Sequence, residues 1–353
     1  MNEKMQKKIT IGNHQIGKCH LPFIIAEMSG NHNRSLDTAL KIVEAAAASG
    51  VHALKLQTYT ADTMTLNLKD KEFIINDPLS LWHGRTLYDL YQEAHTPWEW
   101  HEPIFNRAKE LGLIAFSTPF DETAVDFLEN LNVPCYKISS FENNDIRLIR
   151  KVASTRKTII ISTGMATIGE IDEMVQTARE AGAKGIILLK CTSTYPASPE
   201  DTNIITIPHM RELFGCEVGL SDHTIGMGVS IGAIALGAAV IEKHFTLCRD
   251  GGVDAKFSMD PIEMKLFTQE IKRAWQAIGN IVYGPTKNEI NSLPYKRSLY
   301  IVEDMKYGEE VNRKNIRAIR PGYGLNTKYF ESVLGKRVKK DIKAGTPLSW
   351  DII

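Results

Sequence analysis

The chain has no excess of charge of either sign: 42 Lys and Arg side chains balance 42 Asp and Glu side chains among 353 residues. Broad binding to nucleic acid or to an acidic membrane requires a large cationic surface, so this balance argues against both kinds of partner. Any anion that the protein binds must therefore be held by a local cluster of cations.

Cysteine pairs and long hydrophobic runs are also missing. The five cysteines lie far apart without Cys-x-x-Cys spacing, which argues against a disulfide framework and a structural zinc site. The N-terminal stretch MNEKMQKKIT lacks the apolar segment of a signal peptide. The most apolar run, Ile231–Ile241, is shorter than the roughly 20 residues that span a bilayer. These absences predict a soluble, cytoplasmic protein with reduced thiols.

What the chain does contain is an alternation of short apolar runs and amphipathic segments. The runs predicted to be strands are Phe23–Met28, His52–Gln57, Ile114–Thr118, Cys135–Ser139, Thr158–Thr163, Gly185–Cys191, Glu217–His223 and Val240–Phe245. Apolar spacings of three and four predict helices at Leu36–Ala48, Trp98–Leu111, Glu122–Leu131, Ile171–Ala181 and Pro261–Ile278. Eight strands alternating with helices predict an α/β fold, either a (β/α)8 barrel or a doubly wound sheet.

Polar side chains stand at the carboxyl end of every predicted strand, and this favours the barrel. Glu27 ends the first strand, for example, and Glu242 and His244 lie at the end of the eighth. The active site of a (β/α)8 barrel occupies the face where the strands end. A doubly wound sheet would instead concentrate its ligand groups at one switch point. We therefore predict a (β/α)8 TIM barrel.

The pattern changes after residue 280. We predict a barrel domain with a short N-terminal hairpin at 1–280, a linker at 281–294 and a small β-rich domain at 295–353. The linker contains two prolines and no periodicity, and the last segment has short β-type pieces with glycine-rich turns. A domain of fewer than about 60 residues has only marginal stability by itself, so we expect it to pack against its own barrel or against that of a neighbouring subunit.

Two histidines end consecutive strands and are candidate metal ligands. Adjacent barrel strands lie about 5 Å apart, so inward imidazoles from His223 and His244 can hold one divalent ion and leave positions for water and substrate. The alternative is a pair of hydrogen-bonded histidines without a metal. Two nitrogens do not identify the ion, because zinc, manganese and cobalt all accept imidazole, and magnesium does so less readily.

Two lysines, Lys55 and Lys137, project from the second and fourth strands. The hydroxyl groups around the same rim are those of Thr118, Ser140, Ser162 and Ser221. Ammonium groups with hydroxyl donors suit a ligand that carries a phosphate beside a carboxylate. Each Ser or Thr taken singly is better interpreted as a residue at a strand end whose hydroxyl is hydrogen-bonded within the protein. Either lysine is alternatively the Schiff-base nucleophile of an aldolase.

The carboxylate candidates are Glu27 and Asp254, the latter in a glycine-rich loop after the eighth strand. One can orient a sugar hydroxyl while the other assists proton movement, and the alternative for each is a salt bridge to a lysine. Cys191 ends the sixth strand, but no histidine partner is evident. We therefore interpret it as a core residue rather than a nucleophile.

Ordered motifs cover nearly the whole chain. They are IAEMSGNHN (25–33), ALKLQTY (53–59), STPF (117–120), YKISS (136–140), ISTGMAT (161–167), KCTSTYP (190–196), GLSDHT (219–224), EKHFTL (242–247), IRPGYG (319–324) and DIKAGTPLSWD (341–351). With these motifs the chain resembles the sialic acid synthase family, which condenses phosphoenolpyruvate with N-acetylated sugars. The resemblance implies a TIM barrel followed by an antifreeze-like (SAF, β-clip) domain.

Within the family, the chain is most similar to the pseudaminic acid synthase branch. The features that carry this similarity are LWHGRTLYDLYQEAHTPWEWH (81–101), RPGYGL (320–325) and the SWDII terminus. They imply 2,4-diacetamido-2,4,6-trideoxy-L-altrose, a diacetamido trideoxy hexose, as the sugar. N-acetylneuraminate or legionaminate synthesis is the alternative with the same chemistry, and a non-catalytic carbohydrate-binding protein is the alternative of another class. Ser193 departs from the Asn of the N-acetylneuraminate branch, and its role stays unassigned.

The resemblance also implies a role for each candidate. The residues matching the phosphoenolpyruvate site are Lys55, Thr118, Lys137, Ser140, Ser162 and Ser221. Those matching the sugar side are Glu27, Gln57, Tyr195 and Asp254. His223 and His244 match ligands of a divalent metal, with Mn²⁺ expected and Mg²⁺ or Co²⁺ as alternatives. Arg320 matches an arginine that reaches into the partner subunit's site, which implies a domain-swapped homodimer.

The implied reaction forms a carbon–carbon bond and cleaves the enol C–O bond of phosphoenolpyruvate. C3 of phosphoenolpyruvate attacks the sugar aldehyde, which a bound metal activates as a Lewis acid. Water then adds at C2, and the resulting hemiketal expels phosphate. Glu27 is our candidate for the base that activates this water.

Overall fold

The structure, a computed structural model, describes residues 8–78 and 80–353. The chain divides into two compact units, one ending at Gly279 and the other covering Asn280–Ile353. Residues 1–7, part of the stretch that argued against a signal peptide, lie outside the described residues.

The first unit is a closed barrel of eight parallel strands, which confirms the predicted fold. Its strands, in the order in which they pair from β3 round to β10, are β3 (Phe23–Glu27), β4 (Ala53–Thr58), β5 (Ile114–Pro119), β6 (Cys135–Ile138), β7 (Thr158–Ser162), β8 (Gly185–Cys191), β9 (Glu217–Asp222) and β10 (Val240–His244). Each boundary agrees with the predicted one within one residue. Parallel strands covered on both faces are apolar almost throughout, which is why the sequence marks them clearly.

Helices surround the barrel. They are α1 (Leu36–Ser49), α2 (Ala61–Met64), α3 (Leu87–Ala94), α4 (His101–Glu110), α5 (Glu122–Asn130), α6 (Ile146–Ser154), α7 (Ile168–Glu180), α8 (Thr206–Phe214), α9 (Gly228–Ala235) and α10 (Pro261–Ile278). The predicted start of α4 was wrong, because Trp98–Trp100 forms a separate 3-10 turn. The predicted start of α7 was also wrong, because Thr167 and Glu170 form a capping box that begins the helix at Ile168.

A short hairpin lies at the amino end of the barrel strands. Its antiparallel strands are β1 (Ile9–Ile11) and β2 (His14–Ile16), and the side chains of Ile11 and Ile16 belong to the barrel core. The hydroxyl of Thr158, the first residue of β7, donates a hydrogen bond to the carbonyl of Thr10 at 2.9 Å. The hairpin thus packs at one end, and the carboxyl ends of the strands form the opposite mouth.

The second unit has a separate hydrophobic core. Its antiparallel strands β11 (Ser298–Ile301) and β12 (Ile316–Ile319) are followed by the short helix α11 (Phe330–Val333). Leu299, Ile316 and Val333 are among its fully buried residues. This small unit therefore buries apolar side chains of its own.

All five cysteines are free thiols in the structure, and Cys135, Cys191 and Cys216 are buried. In residues 8–78 and 80–353, no helix has both the length and the apolar character needed to cross a membrane.

A buried ion pair joins β9 to β10. Lys243 Nζ lies 3.0 Å from Asp222 Oδ2 and donates to the carbonyl of Thr224 at 2.7 Å. Asp222 also accepts hydrogen bonds from the Thr224 amide and from the hydroxyl of Ser230 on α9. A buried charge that loses its ionic partner strongly destabilises the fold.

We expect Asp222→Asn and Lys243→Met each to lower the free energy of unfolding by about 3–5 kcal/mol, because each leaves one buried charge unpaired. The double variant should lose less than the two single losses combined. Urea unfolding measures all three values, with Glu270→Gln, which removes an exposed ion pair to Arg273, as the control. Single losses below about 1 kcal/mol would contradict this interpretation.

Candidate active site

The strand registers bring the predicted residues of the barrel unit together at its mouth. The register pairs Glu27 of β3 with Lys55 of β4, and on its other side with His244 of β10. Gln57 of β4 likewise pairs with Thr118 of β5. Polar strand ends that are far apart in the sequence therefore line one face of the barrel.

Two lysines and two glutamates form a buried charge cluster at this mouth. Lys55 Nζ lies 2.6 Å from Glu27 Oε2 and 3.8 Å from Glu242 Oε2, and Lys137 Nζ lies 3.3 Å from Glu242 Oε1. All four side chains are almost inaccessible to solvent. Glu242 was not among the predicted site residues, although strand alternation from His244 places it on the inward face.

The cluster shifts the pKa values of its members in different directions. Burial lowers the pKa of Lys137, whereas for Lys55 the two glutamates outweigh burial and raise the pKa. Burial raises the pKa of Glu27. The lysines outweigh burial at Glu242 and lower its pKa. Glu242 therefore stays a carboxylate, while Glu27 holds a proton more readily than an ordinary glutamate.

The predicted hydroxyls surround these lysines. Thr118 Oγ1 accepts a hydrogen bond from Lys55 at 3.2 Å, and Ser221 Oγ donates to Glu242 Oε1 at 3.1 Å. Ser140 Oγ accepts from the amide of Gly164 at 3.2 Å. The buried Ser162 Oγ has no hydrogen-bond partner within the part of the chain that the structure describes. A buried hydroxyl without a partner is costly, so this atom suits a bound ligand.

The two imidazoles lie next to each other, with ring centroids 5.3 Å apart and ring planes inclined at 56°. His223 Nδ1 lies 2.9 Å from the carbonyl oxygen of Thr192, so a proton donated there leaves Nε2 free to bind a ligand. His244 Nδ1 is buried with no hydrogen bond to any described residue, and its nearest ionic partner is Asp254 Oδ2 at 3.8 Å. Burial lowers the pKa of His244 well below its usual value, which keeps the imidazole neutral.

The two adjacent imidazoles and the unpartnered Nδ1 of His244 fit a divalent metal ion. Among residues 8–78 and 80–353, no cluster of three or more His, Cys, Asp or Glu side chains has the arrangement of a metal site. His223 and His244 can therefore supply only part of a coordination sphere, and water or substrate oxygens would complete it.

The candidate sugar side lies beside the histidines. The ring of Tyr195 lies 4.5 Å from that of His223. Asp254 accepts a hydrogen bond from the hydroxyl of Ser29, and its amide donates to Asn31 Oδ1 at 3.2 Å. Gly252, with φ of +99°, allows this close packing, because a Cβ there would lie 2.7 Å from Asn31 Oδ1. The glycine-rich loop thereby holds Asp254 at the mouth.

The interpretation that Cys191 has no histidine partner was wrong. Its Sγ lies 3.9 Å from His223 Nδ1 and 3.7 Å from Ser193 Oγ. Burial would raise the pKa of the thiol, but His223, Ser140 and Lys137 together outweigh burial and lower the pKa to about 6. The register carried this signal, since Cys191 of β8 pairs with Ser221, two residues before His223.

One predicted residue belongs to the other unit. Arg320 directly follows β12, and its side chain is exposed. Arg320 is predicted to reach into the site of a partner subunit.

Comparison with known proteins identifies the family of the chain. The NeuB family model matches residues 42–283, and the SAF domain model matches residues 296–353. The chain is 42% identical to the pseudaminic acid synthase of Campylobacter jejuni, over 92% of this chain and 95% of that one. It is 43% identical to the pseudaminic acid synthase of Helicobacter pylori, over 94% and 98% of the two chains.

A solved structure shows the same architecture. The N-acetylneuraminic acid synthetase of Leptospira borgpetersenii, solved in complex with citrate, superposes with a TM-score of 0.73 at 28% identity, over 83% of this chain and 98% of that one. Together, the family match, the relatives above 40% identity and the barrel mouth show that the chain belongs to the NeuB family.

Proposed function

We propose that the chain condenses phosphoenolpyruvate with 2,4-diacetamido-2,4,6-trideoxy-L-altrose and water to give pseudaminic acid and phosphate. The observation that carries this proposal is the presence of two buried lysines and two adjacent imidazoles at one barrel mouth. The choice of sugar is supported by 42–43% identity to two pseudaminic acid synthases, against 28% to an N-acetylneuraminic acid synthetase.

The lysines and hydroxyls would hold phosphoenolpyruvate. Lys55 and Lys137 supply positive charge for its phosphate and carboxylate, and Glu242 lies within 4 Å of both. The hydroxyl donors around them are Thr118, Ser140, Ser162 and Ser221. Because this arrangement is built before the substrate arrives, it contributes to the rate by positioning the enol.

The adjacent imidazoles and the neighbouring polar side chains would hold the sugar. We infer that His223 and His244 bind a divalent ion, with Mn²⁺ our first choice and Mg²⁺ or Co²⁺ the alternatives. A bound ion would supply Lewis acidity at the sugar aldehyde. Around it, Gln57, Tyr195 and Asp254 are placed to contact the sugar.

The reaction then needs one proton acceptor. C3 of phosphoenolpyruvate bonds to the aldehyde carbon, whose oxygen takes up a proton and becomes a hydroxyl. Water adds to C2, which has become electron-poor, and gives up a proton. Glu27 is our candidate to accept the proton of this water, since burial raises its pKa and its carboxylate lies 2.6 Å from Lys55. The bond between C2 and the phosphate oxygen then breaks, the C2 hydroxyl gives its proton to the departing phosphate and becomes the ketone, and inorganic phosphate leaves.

We also propose the assembly in which this chemistry occurs. The barrel domain would cover 1–280, the linker 281–294 and the antifreeze-like domain 295–353, with Arg320 reaching the site of the partner in a domain-swapped homodimer. A biosynthetic enzyme of this kind would act in the cytoplasm.

Phosphate release and product mass test the function directly. With phosphoenolpyruvate, we expect turnover of the trideoxy-altrose, loss of activity with EDTA and restoration by Mn²⁺. Borohydride should trap no covalent adduct, in contrast to a Schiff-base aldolase. Turnover of N-acetylmannosamine but not of the trideoxy-altrose would contradict the proposed sugar, and binding of both substrates without product would indicate a carbohydrate-binding protein.

A further inference from the structure

A tryptophan reaches over the barrel mouth from the connection between β4 and α4. The indole Nε1–H of Trp82 donates a hydrogen bond to the carbonyl of Val253 at 3.2 Å. Its ring centroid lies 6.0 Å from that of Tyr195. Trp82 therefore contacts the loops that follow β8 and β10, and the second of these carries Asp254 immediately after Val253.

Consecutive aromatic rings lead from Trp82 to the imidazoles. Tyr195 lies between Trp82 and His223, and its ring centroid is 4.5 Å from His223 and 5.4 Å from Phe257. Phe257 in turn lies 4.9 Å from His244. Trp82 is thus one ring farther from the imidazoles than Tyr195 is. A sugar that has its aldehyde at the imidazoles and lies along these rings would have its other end at Trp82.

The contacts of Trp82 limit what it can offer to a ligand. Its one polar atom already donates to Val253, and the side chain is half-buried. What remains is the aromatic ring, which favours apolar groups. A hydroxyl packed against it would lose hydrogen bonds to water without replacement. A 6-deoxy sugar, which ends in a methyl group, avoids this cost.

We propose that Trp82 is a specificity-determining residue that packs against the C6 methyl group of the sugar. This inference rests on the proposed function, because that function places the aldehyde at the imidazoles. It assigns to one side chain the preference for a 6-deoxy acetamido sugar over its C6-hydroxylated counterpart.

The test compares two sugars that differ only at C6, the trideoxy-altrose and its 6-hydroxy analogue. We expect the wild-type protein to prefer the methyl sugar in kcat/KM by about 10- to 100-fold, the range for rejecting an added hydroxyl in an apolar pocket. Trp82→Ala should lower this preference to about threefold or less, with the KM for phosphoenolpyruvate unchanged. Trp82→Phe, which keeps an apolar ring, should retain most of the preference.

Trp98 provides a matched control in the same connection. Its Nε1–H also donates to a backbone carbonyl, that of Tyr59 at 3.3 Å, and its ring packs 4.7 Å from that of Phe127. Trp98→Ala should keep the wild-type preference. Because the preference is a ratio measured on one preparation, partial unfolding of a variant does not change it.

Two results would overturn the inference. One is an unchanged preference in Trp82→Ala, and the other is an equal loss in Trp98→Ala. Failure of the wild-type protein to use the trideoxy-altrose would instead overturn the proposed function, and the inference with it. Failure of the inference and failure of the proposed function are distinguishable, because the wild-type protein alone reveals the failure of the proposed function.

Discussion

Replacing His223 with alanine is expected to lower kcat on the order of 10³-fold, equivalent to about 4 kcal/mol of transition-state stabilisation. In the structure its Nδ1 lies 2.9 Å from the carbonyl oxygen of Thr192, so Nε2 is the nitrogen that can bind a metal, and the buried Nδ1 of His244 has no hydrogen-bond partner among the described residues. In the proposed site, loss of either imidazole leaves one protein ligand, so we expect His244→Ala to lower kcat to a similar extent.

Metal affinity provides the decisive measurement, because it does not depend on turnover. Calorimetric titration of metal-free protein with Mn²⁺ should show binding in the wild type and little or none in His223→Ala, while circular dichroism shows the same fold. His52→Ala is the control: His52 lies at the amino end of β4 and accepts a hydrogen bond from the Ile24 amide at 3.0 Å. Unchanged Mn²⁺ affinity in both mouth variants would refute the ligand assignment.

The barrel could be predicted from the sequence because its physical causes are local. Strands buried on both faces are apolar runs, and polar residues follow each run where the mouth begins. Two predicted helix starts, Trp98 and Ile171, were wrong, because the conformation of the first turn and its capping residues decide where a helix begins. One of them carried a readable signal, since Thr167 and Glu170 match the capping-box spacing.

The sequence predicted those residues of the candidate site whose inward direction follows from strand alternation. It did not predict the contacts that loops make. Alternation brings Lys55, Lys137 and the histidines inward. It also brings Glu242 inward, because Glu242 lies two residues before His244 on β10. The proximity of Cys191 to His223 follows from the pairing of β8 with β9.

Contacts made by long loops left no comparable signal in the sequence. Trp82 reaches Val253 across 171 residues of chain, and no periodicity encodes the path of such a connection. Asp222 and Lys243 were also missed, because charged residues that face the helices look, in sequence, like any polar strand end.

Activity is expected to be restored when two impaired variants, one altered in the barrel and one at Arg320, are combined in one dimer. Arg320→Ala should lose about 10- to 100-fold in kcat/KM, as when a charged hydrogen bond to a ligand is removed. If Arg320 serves the partner's barrel, a dimer of one Arg320→Ala chain and one His223→Ala chain has one complete site: the barrel with an intact His223 receives the intact Arg320. Random assembly on co-expression makes half of the dimers mixed, so about a quarter of wild-type activity should return.

The control pair is His223→Ala co-expressed with His244→Ala. Both changes lie in the barrel, so no exchange of the second unit can assemble a complete site, and activity should stay at the level of the single variants. If Arg320 instead served its own barrel, each chain of the Arg320→Ala and His223→Ala dimer would keep its own defect. Activity no greater than the sum of the two separate variants would therefore refute the exchanged arrangement, even if Arg320→Ala alone were strongly impaired.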